Sequence, residues 1–105
     1  MAKSIDPQEL KKRLTNINPP NLLDVRRKVD YETSPNKIAG ATWRDPEKIE
    51  DWIKDLPTGA PAVVYCVKGG SVSQSLADRM QKEGLDAVFL EGGLKAWTDG
   101  GDPVE

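Results

Sequence analysis

Apolar positions along this chain alternate between helical stripes and short continuous runs. Ile49, Trp52, Ile53 and Leu56 recur at i, i+3, i+4 and i+7, which predicts an amphipathic helix with one buried face. Asp45-Pro46 ahead of them supplies an N-cap and a first-turn proline, and Pro57-Thr58-Gly59 supplies a stop. Val72, Leu76 and Met80, four apart, predict a second helix, with Gly84 placed for its C-terminal cap. Near the start, Asp6-Pro7-Gln8-Glu9 combines a cap, a proline and a capping-box acid, with Ile5 and Leu10 set for a hydrophobic staple. A helix is therefore expected over 7–14, ended by Asn18-Pro19-Pro20-Asn21.

Between these stripes lie apolar runs too short for helices: 22–25, 61–66 and 87–90, each read as a buried strand. Ser34-Pro35-Asn36 turns the chain toward a further short strand over 38–42, and a short helix is expected from Gly92-Gly93 through Trp97. Trp43 and Trp52 read as core or edge packing. The segments 1–3 and 100–105 read as frayed termini. Strands alternating with helices define an α/β class: a mainly parallel sheet of about five strands with helices on both faces. Ligands bind such sheets beyond the carboxyl ends of the strands.

At 105 residues the chain is expected to form a single domain able to bury a core without a disulfide or a metal. It has one cysteine and no histidine, so neither an internal disulfide nor a Cys/His zinc site can be assembled, and no cofactor is expected. A lone thiol suits a reducing compartment. Net charge is −2 with both signs interspersed, which gives no basic stripe for nucleic acid. Lys11-Lys12-Arg13 reads as a solvated helix face, and Arg26-Arg27-Lys28 as exposed charge beside the active edge of the sheet. No stretch suits a signal peptide or a membrane span, so a cytoplasmic protein is expected.

The candidate chemistry centres on Cys66, which ends the run Ala62-Val63-Val64-Tyr65 and opens Val67-Lys68-Gly69-Gly70-Ser71. A lone cysteine at a strand end is most often a small buried hydrophobe. The five residues after it point elsewhere. Gly69-Gly70 allows positive φ, so that successive amides can converge beside the sulfur. Ser71 is placed as N-cap, with Gln74 completing a capping box, so the positive end of the following helix faces the thiol. That surrounding favours the thiolate, the reactive form.

These segments resemble the rhodanese family of sulfurtransferases over nearly the whole chain. Leu22-Leu23-Asp24-Val25-Arg26, Asp30-Tyr31 and Ile38-Ala39-Gly40-Ala41 are similar to the family's opening strand and first signature. Cys66 to Ser71 matches its six-residue active loop, with glycine three positions after the cysteine. Phe89-Leu90-Glu91-Gly92-Gly93-Leu94-Lys95-Ala96-Trp97 is close to its C-terminal signature, a double glycine followed by tryptophan. The resemblance implies sulfane-sulfur transfer through a Cys66 persulfide, from a donor such as thiosulfate or a persulfide to cyanide or a thiol. Val67, Lys68, Gly69, Gly70 and Ser71 would bind the transferred sulfur through their backbone, and Lys68 would attract an anionic donor.

The chain also departs from the family pattern. Lys37-Ile38-Ala39-Gly40-Ala41 replaces the usual His-Ile-Pro-Gly-Ala, Ser71 stands where many single-domain relatives have arginine, and Asp30 falls where two-domain thiosulfate enzymes have a substrate-contacting arginine. A phosphatase-type loop would need arginine six positions after the cysteine, where this chain has Val72. The competing class is a rhodanese-like carrier or protein-binding module with little turnover, loaded by a sulfur-relay protein such as a cysteine desulfurase.

Overall fold

A computed structural model describes residues 3–56, 59 and 61–104 of the chain. Strands β1 (Lys3–Ile5), β2 (Asn21–Asp24), β3 (Thr42–Trp43), β4 (Pro61–Tyr65) and β5 (Asp86–Leu90) form one sheet in the order β1-β5-β4-β2-β3, every pair parallel. Helices α1 (Pro7–Leu14), α2 (Lys28–Thr33), α3 (Ile49–Trp52), α4 (Ser71–Lys82) and α5 (Gly93–Asp99) connect them. The expected α/β architecture holds.

Period-2 alternation in the strands divides the core between the two faces. Ala62 and Val64 of β4 join Leu23 and Val25 against Trp52, Ile53, Leu76 and Met80, the apolar stripes of α3 and α4. Val63 and Tyr65 turn the other way, to Leu10 of α1 and Leu94 and Trp97 of α5. Central strands buried on both sides must be apolar throughout, which is why 61–65 reads as a continuous run.

Several elements differ from expectation. Of the predicted stripe, Ile49, Trp52 and Ile53 are buried and Leu56 partly so, but only Ile49–Trp52 is α-helical, with 3-10 turns at Pro46–Lys48 and Ile53–Asp55. Residues 57 and 58 of its predicted stop lie outside the described residues. The strand expected over 38–42 shrinks to Thr42–Trp43, because Ala41 N–H bonds to the Ile38 carbonyl in a turn that Gly40 completes at φ +89°. Two elements went unpredicted: edge strand β1, where Lys3 had read as part of a frayed end, and α2. Nor is the described part of the C-terminal segment frayed, since Val104 bridges Ile38, and Pro103 accepts hydrogen bonds from Ala39 N–H and Trp97 Nε1.

Candidate active site

Cys66 follows the last residue of β4 at the carboxyl edge of the sheet, 7 % exposed, at a cleft of about 330 Å³. Val67, Lys68, Gly70 and Ser71 line this cleft from the loop, while Arg27 and Asp30 face it from the β2–α2 side. The sequence-predicted residues thus line one cleft with Cys66, except Gly69, whose role is internal.

Gly69 adopts φ +71°, and a Cβ there would meet Gly92 N at 2.7 Å. A Cβ on Gly93 (φ +59°) would strike the Cys66 carbonyl oxygen and come within 2.6 Å of Gly69 N. Gly69 and Gly93 together are therefore a close-packing device, letting the β5–α5 turn press against the cysteine loop, while Gly92 makes room for Ala96 of its own helix. The contact is also polar: Leu94 N–H donates to the Cys66 carbonyl and Lys95 N–H to the Val67 carbonyl, both at 2.9 Å. In trans peptides a carbonyl fixed on one side turns the next N–H to the other, so α5 sets the amides of Val67 and Lys68 away from itself.

The start of α4 differs from the expected cap. Gly70 is the N-cap, at φ −85° and ψ −152°, and Ser71 is already helical, so the expected positive φ is found at Gly69 but not at Gly70. Gln74 completes no capping box; its Nε2 reaches back to the Gly69 carbonyl at 2.9 Å, tying the loop to the helix. Sequence reasoning passed over Ser73, whose fully buried hydroxyl lies 3.2 Å from the Cys66 sulfur and 3.4 Å from the Gly70 carbonyl. Its spacing was a usable signal: three residues into a helix from the cap, a side chain points back at the preceding loop.

Arg26 is not exposed charge, as its neighbours suggested, but 2 % exposed. Its guanidinium pairs with Asp24 at 2.7–3.0 Å and donates to the Ser34 and Asn36 carbonyls. Tyr65 donates to Asp24 and accepts from Ile38 N–H. Burial, then the neighbouring Asp24 charge, pushes the Tyr65 phenol far above its ordinary range. Tyr31 lies under the Arg26 guanidinium and stacks on Trp43, whose Nε1 donates to the Arg26 carbonyl. A buried pair of this kind is costly to break, about 3–5 kcal/mol when one partner is removed. It anchors the end of β2, from which Arg27 and Asp30 reach the cleft.

Residues 6–99 match the profile of the Rhodanese-like domain family. A sulfurtransferase of Allochromatium vinosum is 28 % identical over 104 residues, covering 99 % of this chain and 95 % of that protein. The thiosulfate sulfurtransferase GlpE of Pseudomonas entomophila is 32 % identical over 77 residues, 72 % of this chain and 68 % of that one. Among solved structures, a rhodanese-like domain protein from Staphylococcus aureus superimposes with a TM-score of 0.82 at 31 % identity, covering 98 % of this chain and 96 % of its own.

Proposed function

The chain belongs to the rhodanese-like family, and from that premise we propose that it is a sulfurtransferase acting through a Cys66 persulfide. The observation that carries this reading is the backing of the loop by α5. With the Cys66 and Val67 carbonyls held by Leu94 and Lys95, the amides that follow face away from α5 and would donate to an anionic sulfur. A charge-assisted bond of this type contributes about 1.5–3 kcal/mol.

In the first half-reaction the Cys66 thiolate attacks the outer sulfur of thiosulfate. The Sγ–S bond forms, the S–S bond of the donor breaks, and its electron pair leaves on sulfite. In the second, cyanide or a thiol attacks the terminal sulfur, and the pair returns to Sγ. Arg27 and Lys68 draw the donor dianion into the cleft. The chain has no histidine to act as the base for the thiol proton.

A second reading is favoured by Asp30, an anion in the same cleft. Its repulsion of a dianion suits a donor carried as a persulfide on a partner protein, and the chain would then be one station of a relay.

Thiocyanate formation from thiosulfate and cyanide, compared between the wild type and Cys66→Ser at matched circular dichroism, tests the proposal. Loss of turnover in the variant is expected, because a serine oxygen fits the loop but cannot carry sulfane sulfur. Transfer by Cys66→Ser above background would overturn it.

A further inference from the structure

The Ser73 hydroxyl has one proton and two acceptors within reach: the Gly70 carbonyl oxygen at 3.4 Å and the Cys66 sulfur at 3.2 Å. Which acceptor it serves depends on the sulfur. A neutral Cys66 S–H can itself donate to Ser73 Oγ, leaving the serine proton for the Gly70 carbonyl. Once the sulfur is a thiolate it can only accept, and a charged acceptor forms the stronger bond. The serine proton then turns to the sulfur by rotation about Cβ–Oγ, with no proton transferred between the residues. Ser73 is completely buried, so it approaches the sulfur from the protein side while the cleft lies on the other. An incoming donor therefore does not displace it.

We propose that Ser73 is a catalytic residue whose hydroxyl rotates from the Gly70 carbonyl to the Cys66 sulfur as the sulfur becomes anionic. The proposal rests on the sulfur-transfer reading for its place in the cycle. In loading, the hydroxyl increases the share of Cys66 present as thiolate. In discharge, the acceptor breaks the bond between the terminal sulfur and Sγ, and the electron pair returning to Sγ is met by the same O–H. A better stabilised thiolate leaves faster and attacks more weakly. Ser73 therefore trades some nucleophilicity per thiolate for more thiolate and a better leaving group.

The test uses methyl methanethiosulfonate, a small uncharged probe. Thiolate attack on it forms Sγ–SCH₃ and expels methanesulfinate, with no need for donor binding or an acceptor. Its second-order rate with Cys66 would be followed against pH by mass spectrometry of quenched samples. Arg27, Asp30 and Lys68 face the cleft beside Cys66, and Arg26 is held by Asp24. All are unchanged between variants, so their influence is common to the profiles compared. Ser73→Ala, which suits a helix, should move the rising limb to higher pH by about one unit. Its high-pH plateau should rise by about threefold, because the unassisted thiolate is the stronger nucleophile. The two profiles should therefore cross. Ser73→Thr, which keeps the hydroxyl, should restore the wild-type curve. Superimposable Ala and wild-type profiles would overturn the proposal, as would equal displacement by Ala and Thr, since the effect would then be one of packing. A chain that took no sulfur from thiosulfate would defeat the thiosulfate reading but leave this comparison decisive.

Discussion

Single residues at the carboxyl edge of the sheet divide between those that shape the loop and those that hold it in place. Gly69 and Gly70 are adjacent in sequence, yet only Gly69 has positive φ and a backbone wall where a Cβ would stand; Gly70 opens into free space. Gly69→Ala should therefore cost more than about 1 kcal/mol in chemical denaturation and reduce sulfur transfer. Gly70→Ala should cost less than Gly69→Ala in both, losing only the N-cap preference for glycine, and equal behaviour of the two variants would contradict this division. Tyr65 supports the site through Asp24 and Ile38. Its phenol is raised in the folded state above the ordinary value of about 10. The group's contribution to stability is thus complete below that pH and is lost above it, as the unfolded chain ionises first. Stability should fall above about pH 10 with a contribution near 1.4 kcal/mol per pH unit from this group. Tyr65→Phe should show a shallower alkaline decline, whatever it loses at neutral pH. An identical slope in the two proteins would remove Tyr65 from that account.

At the scale of elements, the readable parts were those in which local signals and tertiary packing agree. Asp6-Pro7 started α1 where it begins, and β4, α4 and β5 appeared within a residue or so of the predicted positions. The missed strands share a cause, since each depends on a partner distant in sequence. Lys3–Ile5 is a strand because it pairs with Val88, Phe89 and Leu90, which its own three residues do not announce. Thr42–Trp43 is extended through pairing with Leu23 and Asp24. Arg26 looked solvated in a run of three cations, whereas it is buried against Asp24 two positions earlier and against the Ser34 and Asn36 carbonyls. The cysteine loop itself was legible, but its backing was not. The role of Gly92-Gly93 becomes physical only when α5 is seen donating to the Cys66 and Val67 carbonyls.

Over the whole molecule, a net charge of −2 gives no long-range field to gather an anionic donor. On the proposed reading, attraction would be local, from Lys68 and Arg27, and would work against Asp30. Lys68→Ala should raise KM for thiosulfate by up to about fivefold at low salt with less effect on kcat, and the difference should shrink as ionic strength rises. Asp30→Asn should move KM the opposite way. Thiosulfate kinetics unchanged by both variants at low salt would favour a persulfide delivered by a protein. The central claim, that Cys66 accepts sulfane sulfur, is tested most directly by mass spectrometry of the intact chain after exposure to thiosulfate and removal of excess donor. The account predicts a gain of one sulfur atom, mapped to Cys66, absent in Cys66→Ser and discharged by cyanide. An unmodified wild-type chain, or a gain that persists in Cys66→Ser, would contradict it.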